Sequence, residues 1–307
     1  MNSNDYTIIK EDDIKMRPEI KFRNYTDDDY EALCDFLIAL NDKEDSHINW
    51  NWARLEWMIE HPEFDKSLKK SIGLWTEDGR IVGAAIYDMY FGEGFCGVLP
   101  EYKELYKDVV EYACKELKDD SGFGLAICEE NTDEVEMVKK QGFYIFDQDE
   151  TIMERSLDDP FEAKIPDGLK FFCPDPVEDV YDLEWLFWQG FDHGQDRAEF
   201  EREEEIIPRV RKHFNKDLGV AAVNEKGEMV ACCLLWYMPG TDYAYVEPVC
   251  TIPEYRGKGV AKALIYEAFG RAKKLGAKRA YVISDMEFYE KLGFKKKHHY
   301  LFFRKLP

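Results

Sequence analysis

The sequence predicts an α/β (α+β) fold made of two tandem domains, each a mixed, largely antiparallel sheet flanked by helices. Length is the first reason, because 307 residues exceed the usual size of a single hydrophobic core. An internal repeat is the second reason. Five short segments recur in the same order, 148 to 153 residues apart. The first pair starts at Phe22 and Phe171, and the last pair starts at Glu154 and Phe303.

The elements of each half follow one order: a strand, helices, a hairpin with a third strand, a helix, a strand, a helix and two closing strands. In the second half, the apolar runs Val220–Val223 and Met229–Tyr237 are typical of strands, and the apolar spacing over Val260–Leu275 predicts a helix. The segment 158–168 contains two prolines and several acidic residues, which predicts a linker. We therefore place the domains at residues 1–158 and 168–307.

The chain is strongly acidic overall but basic near its end. The formal net charge is -22, whereas residues 254–307 carry 14 Lys/Arg and 5 Asp/Glu, a local balance of +9. An acidic protein repels nucleic-acid phosphates, so no nucleic-acid partner is expected. The acidity favours a cationic substrate or simply serves solubility. The basic segment indicates a bound anion or a solvated helix face.

The eight cysteines include no Cys-x-x-Cys pair and mostly lie in apolar runs, which is typical of free thiols in a reducing compartment. The first 21 residues are polar and acidic, unlike a signal peptide, and no apolar run approaches the roughly 18 residues of a spanning helix. We therefore expect a cytoplasmic protein that does not enter a membrane, with its oligomeric state open. No metal is expected, because the adjacent His298 and His299 face opposite sides of a strand.

A glycine-containing loop follows the predicted strand Tyr243–Thr251 and leads into a helix. Gly257 and Gly259 let the backbone turn tightly and approach a ligand closely. The free N–H groups of the loop and of the first helical turn, together with the helix dipole, suit a pyrophosphate. Lys258 and Lys262 add positive charge. A plain glycine turn that enters a helix is the alternative.

Two motifs in this half resemble the GNAT acetyltransferase superfamily. Arg256–Ala261 is similar to the family's Gln/Arg-x-x-Gly-x-Gly/Ala loop, and Phe288–Phe294 is similar to its Tyr-x-Lys-x-Gly-Phe segment. The resemblance implies that acetyl-CoA lies in a splayed gap between the strands Tyr243–Thr251 and Arg279–Ser284. Pro248, which has no N–H to donate, predicts a bulge or an edge in the first of these strands. The resemblance also implies the cofactor-binding residues, which are Val249, Cys250, Thr251, Arg256, Gly257, Lys258, Gly259, Val260, Ala261 and Lys262.

The first half keeps the outline of this fold but lacks the loop. Lys103–Asp108 stands where the second half has the glycine loop, and both glycines are absent. Tyr106 fills the position of closest approach, and Glu104 and Asp108 put negative charge where phosphate would lie. We therefore predict a degenerate first GNAT-like domain without a cofactor site. Its role is either structural or to form one wall of an acceptor pocket.

The resemblance and the needs of acetyl transfer assign roles to two side chains. Tyr289 is the candidate acid that protonates the leaving thiolate, and Glu247 is the candidate base that takes the amine proton, directly or through water. The backbone N–H of Val249 is the oxyanion donor that the family implies. The alternatives are a packed aromatic for Tyr289, and an outward-facing or salt-bridged residue for Glu247.

Aromatic side chains cluster at matching places in the two halves. One cluster lies within His47–Trp57, which also contains Arg54, and the other within Trp188–Gly194. Aromatic walls suit cationic amines, so these clusters could line an acceptor pocket between the repeats. Packing in the core is the alternative.

The sequence as a whole predicts an acetyl-CoA-dependent N-acetyltransferase, a transferase of the acyltransferase class. The expected acceptor is a primary amine of a small molecule, attacked directly on the thioester. A non-catalytic acyl-CoA-binding sensor or partner module is one alternative. Acetylation of a protein N-terminus or lysine is another.

Overall fold

The computed structural model describes residues 19–204, 206 and 212–307, and in this part of the chain one order of elements occurs twice. The first copy consists of β1 (Lys21–Asn24), α1 (Tyr30–Leu40), α2 (Trp52–Ile59), β2 (Gly73–Glu77), β3 (Arg80–Tyr87), β4 (Glu93–Val98), α3 (Tyr106–Glu116), β5 (Phe123–Cys128), α4 (Thr132–Lys140) and β6 (Tyr144–Ser156). The second consists of β7 (Lys170–Phe172), α5 (Val180–Gly190), α6 (Arg197–Glu203), β8 (Val220–Val223), β9 (Met229–Tyr237), β10 (Tyr243–Thr251), α7 (Val260–Leu275), β11 (Arg279–Ile283), α8 (Glu287–Lys291) and β12 (Lys295–Lys305). The matching order confirms the predicted repeat. Each copy closes with one long strand where we predicted two, because shifts in register between β6 and β12 interrupt the pairing without ending either strand.

The twelve strands in the described part of the chain form one sheet in which the two repeats exchange their closing strands. The strand order is β1-β2-β3-β4-β5-β12-β6-β11-β10-β9-β8-β7. β6 of the first repeat pairs antiparallel with β11 of the second, and β12 of the second repeat pairs antiparallel with β5 of the first. β6 and β12 also pair with each other at the centre of the sheet. The exchange gives a partner to both strand edges at the junction, so the two predicted sheets meet as one.

The sheet is mixed and largely antiparallel, as predicted. β4 pairs in parallel with β5, and β10 pairs in parallel with β11, while the other described pairs are antiparallel. Helices flank the sheet, and α7 packs its apolar side chains against β8, β9 and β10. A left-handed glycine precedes α7 and another ends it, Gly259 (φ 81°) and Gly276 (φ 116°). In the described part of the chain, no helix combines the length and the apolar character needed to cross a membrane.

The buried residues form two clusters, and the first cluster spans both repeats. It contains the helices of the first repeat together with Trp236, Tyr243 and Tyr281 from strands of the second. Trp52 of α2 meets Trp236 of β9 edge to face, with ring centroids 6.2 Å apart. The first repeat therefore packs α2 directly against the strands that carry the glycine loop of the second.

The connection between β6 and β7 lies against the second repeat. Phe161 packs on Tyr266 and Phe269 of α7, with ring centroids 5.5 and 5.9 Å apart. The domain limits predicted at residues 158 and 168 both fall within this connection.

Candidate active site

A gap opens between β10 and β11 beyond their first three paired residues. The strands pair in parallel from Tyr243 with Arg279 to Tyr245 with Tyr281, and then diverge. On its other edge, β10 stays paired with β9 as far as Thr251. The second half of β10 therefore presents toward the gap a backbone edge that no described strand covers. The splayed gap predicted between these strands is present.

The irregularity predicted at Pro248 lies in the same part of β10. The register between β10 and β9 shifts across this proline, where a missing N–H costs the ladder least. Along this stretch, Glu247, Val249 and Thr251 are partly exposed, whereas Cys250 is buried. The strand thus alternates between a face that is accessible and a face that packs into the core.

The loop before α7 is open and its backbone is left-handed at both glycines. Gly257 has φ 71° and Gly259 has φ 81°, conformations that side chains rarely adopt. A Cβ atom added at either position would meet no described atom within 4 Å. No side chain in the described part of the chain caps α7, so the N–H groups of its first turn remain available. The ammonium groups of Lys258 and Lys262 lie over the rings of Tyr255 and Tyr266, 5.0 and 5.5 Å from their centroids.

The guanidinium of Arg256 holds the loop to its surroundings. It donates to the carbonyls of Thr251 and Gly190, each at 2.9 Å, and pairs with Asp192 at 3.0 Å. Arg256 thereby ties the loop to the end of β10 and to the end of α5. Its side chain therefore supports the loop. Cys250 is likewise engaged inward, with its sulfur 3.7 Å from that of Cys232.

The candidate acid and base face the same region. Burial raises the pKa of Tyr289, and the charges of Cys233 and Glu247 raise it further. The ring of Tyr289 also packs against Phe294, with centroids 5.5 Å apart. Glu247 is half-buried, and its carbonyl accepts a hydrogen bond from Trp236 Nε1 at 2.8 Å. Tyr289 and Glu247 therefore lie within electrostatic range of each other.

The first repeat has a comparable gap without the loop. β4 and β5 pair in parallel only at Glu93 and Gly94 among the described residues, and then diverge. The chain passes from a 3-10 turn at Pro100–Leu105 directly into α3, with no left-handed glycine between them. Tyr106 is 4% exposed, and burial, with the nearby charge of Glu134, raises its pKa. The phenol thus packs inside the repeat at the position that a glycine leaves open in the second.

A cavity of about 340 Å³ lies between the repeats, beside the end of β11. Sequence reasoning identified Arg54 there but missed its acidic lining, because the carboxylates come from four separate segments. Arg54 pairs with Glu150 of β6 at 2.9 Å and lies over the ring of Phe95, 5.0 Å from its centroid. The remaining acidic residues of the lining are Asp88, Glu93, Asp149 and Asp285.

The aromatic clusters belong mainly to the core. Trp50 is 2% exposed and Trp52 is fully buried, so the core alternative describes both. Trp188 is also buried and packs against Phe200. Arg54, from the same stretch as the first two tryptophans, is the member that reaches the cavity.

His298 and His299 have separate sets of partners. His298 lies between Asp45 at 2.8 Å and Glu130 at 3.0 Å, whereas His299 pairs with Glu129 and Asp149. Burial lowers the pKa of His298, but hydrogen bonds to Asp45 and Cys128 outweigh it and raise the pKa to about 10. Ligand-type atoms of Cys128, Glu130 and His298 lie within 4.8 Å of one another. Both ring nitrogens of His298 already take part in ion pairs, which account for this arrangement.

The sequence of the second repeat matches a known family. Residues 177–294 match the model of the acetyltransferase (GNAT) family. This segment contains the glycine loop, the gap strands and Tyr289. Residues 177–294 are therefore a domain of the GNAT family, and this match supports an acyltransferase that uses an acyl-CoA.

The structural comparisons extend the GNAT fold to the whole chain. A tandem GNAT protein from the clavulanic acid biosynthesis pathway has a TM-score of 0.63 at 14% identity, over 94% of this chain and 98% of that one. A GNAT protein from Sphaerobacter thermophilus has a TM-score of 0.57 at 18% identity, over 94% and 95%. Saccharomyces cerevisiae N-myristoyltransferase, solved with bound myristoyl-CoA, has a TM-score of 0.52 at 15% identity, over 96% and 83%. The architecture is thus that of a tandem GNAT protein.

Proposed function

We propose that the protein is an N-acetyltransferase that transfers an acetyl group from acetyl-CoA to a primary amine of a small molecule. One observation carries the proposal: an open glycine loop precedes an uncapped helix, next to a strand edge that no described strand covers. Such a loop accepts a pyrophosphate at the positive end of the helix dipole. The uncovered strand edge accepts the amide-containing arm of the same cofactor.

The residues present fit this cosubstrate along its length. The backbone amides from Lys258 to Ala261 would hold the pyrophosphate, and Lys258 and Lys262 add positive charge at the rim. The backbone of β10 from Val249 to Thr251 would pair with the pantetheine arm. Acetyl-CoA supplies an activated thioester. The left-handed glycines are needed because a side chain there would occupy the space of the ligand.

The side chains at the gap provide the proton transfers. Glu247 takes a proton from the ammonium group, directly or through water, so that the neutral amine can attack the thioester carbon. The N–H of Val249 stabilises the oxyanion. A C–N bond forms, the C–S bond breaks, and Tyr289 gives its proton to the leaving thiolate. The extra proton on the attacking nitrogen then restores the phenol of Tyr289. The raised pKa of Tyr289 keeps the phenol protonated at neutral pH, as an acid must be.

Acetyl-CoA binding and turnover test the proposal separately. At 100 times its dissociation constant, acetyl-CoA should stabilise the fold by about 2.7 kcal/mol. A screen of small amines for release of free CoA thiol should then identify an acceptor. Absence of any thermal shift with acetyl-CoA would contradict the proposal. A shift without turnover on any amine would instead favour the acyl-CoA sensor, which the loss of the loop in the first repeat makes the second candidate.

The proposal also includes the type of acceptor and the subcellular compartment of the protein. A cavity of about 340 Å³ matches a small molecule better than the open groove that a peptide needs. The cysteines in the described residues are all free thiols, which fits a reducing compartment such as the cytoplasm. The acidic chain offers no attraction for nucleic acid or for anionic membranes.

A further inference from the structure

The cavity between the repeats adjoins the place where an amine would meet the acetyl group. Tyr245 and Tyr281 are the last paired residues before the gap, so Glu247 on β10 and Ile283 on β11 each lie two residues beyond them. Ile283 lines the cavity, together with the two residues that follow it. The cavity therefore begins at β11, on the side of the gap opposite the candidate base on β10.

Electrostatic contacts connect the cavity to the gap. Burial raises the pKa of Tyr245, the charges of Glu247 and Glu150 raise it further, and the charge of Arg54 opposes them. One buried phenol thus interacts with the candidate base on one side and with an ion pair of the cavity on the other.

The cavity carries an excess of negative charge after its ion pairs are counted. Arg54 neutralises Glu150 at 2.9 Å, and Arg304 pairs with Glu93 at 3.0 Å. Asp88 and Asp285 form no ion pair with any described residue. Burial is the largest cause that raises the pKa of Asp88, and the nearby charge of Arg54, which lowers it, offsets this loss of water only in part. A cationic ligand would compensate for that loss.

Two buried oxygens of the lining have no hydrogen-bond partner among the described residues. They are the hydroxyl of Tyr300 and Oε1 of Glu150, whose Oε2 bonds Arg54. Tyr300 is only 1% exposed. Buried polar atoms are normally paired, and both of these atoms can accept a hydrogen bond. The cavity therefore combines unused acceptors with unneutralised carboxylates, which is the complement of an ammonium group.

We propose that the acceptor of this enzyme carries at least two cationic nitrogens, one of which reacts at Glu247 while a second binds in the cavity near Asp88, Glu150 and Tyr300. The proposal rests on the proposed acetyltransferase function. It assigns to the first repeat, which supplies Arg54, Asp88 and Glu150, the selection of the acceptor. A small diamine or polyamine is the ligand class that satisfies both positions.

Calorimetry with matched amines tests this assignment without requiring turnover. The probes are putrescine, butylamine and aminobutanol, which share a chain length and differ in the group at the far end. Putrescine should bind about 100-fold more tightly than butylamine or aminobutanol, because neither monoamine brings a second cation to Asp88. Equal binding of the three would overturn the inference, and so would tighter binding of magnesium ions than of putrescine.

Variants locate the second nitrogen. Asp88→Asn should reduce the preference for putrescine about tenfold and leave butylamine binding unchanged, and Asp285→Asn should act in the same direction more weakly. Asp120→Asn, an exposed position before β5, is the matched control and should change neither amine. An equal effect of Asp88→Asn on both amines would contradict the assignment.

Turnover separates this inference from the function on which it rests. In the assay of CoA release, the preference for putrescine over butylamine should appear in KM, and Asp88→Asn should raise KM for putrescine with kcat unchanged. Acetylation of all amines with equal kcat/KM would remove the inference and leave the acetyltransferase intact. Selective putrescine binding without acetylation would support the second cation site and contradict the acetyltransferase function.

Discussion

The two repeats differ most where their gaps meet the following helix. In the second repeat, two left-handed glycines open the backbone before α7, and in the first a 3-10 turn leads directly into α3. Both repeats keep the diverging parallel strands. The gap is therefore a property of the fold, whereas the proposed cofactor site depends on a few loop residues. In our proposal, a repeat that lacks those residues still shapes the acceptor site of its neighbour.

The largest effect is expected when the glycine loop of the second repeat is made to resemble the corresponding segment of the first repeat. Gly259→Glu should weaken acetyl-CoA binding at least about a thousandfold, or ~4 kcal/mol, because a carboxylate would stand in the phosphate site. Isothermal titration calorimetry measures this loss. Gly227→Glu is the matched control, since Gly227 has φ 83° and equally open surroundings in the turn before β9. Both variants should lose similar stability, about 1–2 kcal/mol, and only Gly259→Glu should lose binding. Parallel loss in both would contradict a local phosphate site.

Removal of the candidate acid tests the chemistry that distinguishes the second repeat. Tyr289→Phe should lower kcat about 100-fold and leave acetyl-CoA affinity unchanged, because the ring still packs and only the proton is lost. Steady-state CoA release and calorimetry together measure the two effects. Tyr106→Phe, in the buried phenol of the first repeat, is the paired control and should leave kcat as it is. Unchanged turnover in Tyr289→Phe would make that tyrosine a packed aromatic only.

A smaller effect is expected where the two loops carry different cations. Arg256→Lys should weaken acetyl-CoA binding about tenfold, because lysine cannot bond Thr251, Gly190 and Asp192 together. Lys103 occupies the corresponding position in the first repeat and pairs with the exposed Asp133 at 4.0 Å. Lys103→Ala should therefore have no effect in the same titration. If both substitutions weakened binding equally, overall charge would explain the result better than loop position.

The smallest effect concerns the contact between the repeats at Asp45 and His298. The pKa of His298 is raised to about 10, so its protonated form stabilises the fold. This contribution is complete below the pKa of an unfolded histidine, about 6.5, and is lost as the pH rises through the folded value. The difference in Tm between the wild type and His298→Asn should therefore shrink between pH 6.5 and 10. His299→Asn, at a more exposed position, should show a weaker trend, and a pH-independent difference would contradict the charged pair.

Local signals made much of the fold and the open glycine loop before α7 predictable. The repeat, the irregularity at Pro248 and the divergence of β10 from β11 follow from short motifs and from residue chemistry at single positions. The exchange of β6 and β12 was not predictable, because the two closing strands have similar patterns and either could pair with β5 or β11.

The acceptor cavity escaped prediction for a related reason. Asp88, Glu150 and Asp285 lie far apart in the sequence and meet only after the strands have exchanged. The aromatic stretch drew attention to the right neighbourhood, yet its tryptophans pack in the core and only Arg54 lines the cavity. Strand pairing between distant segments assembles this cavity, so the spacing of residues along the sequence does not predict it.

The central claim is an asymmetry of two repeats with one cofactor site, and the stoichiometry of binding tests it most directly. Titration of acetyl-CoA into the full chain should give one site per chain, and Gly259→Glu should remove it. A double substitution at Glu104 and Asp108, to glutamine and asparagine, should leave that single site unchanged. Two sites per chain, or full binding in Gly259→Glu, would contradict the account.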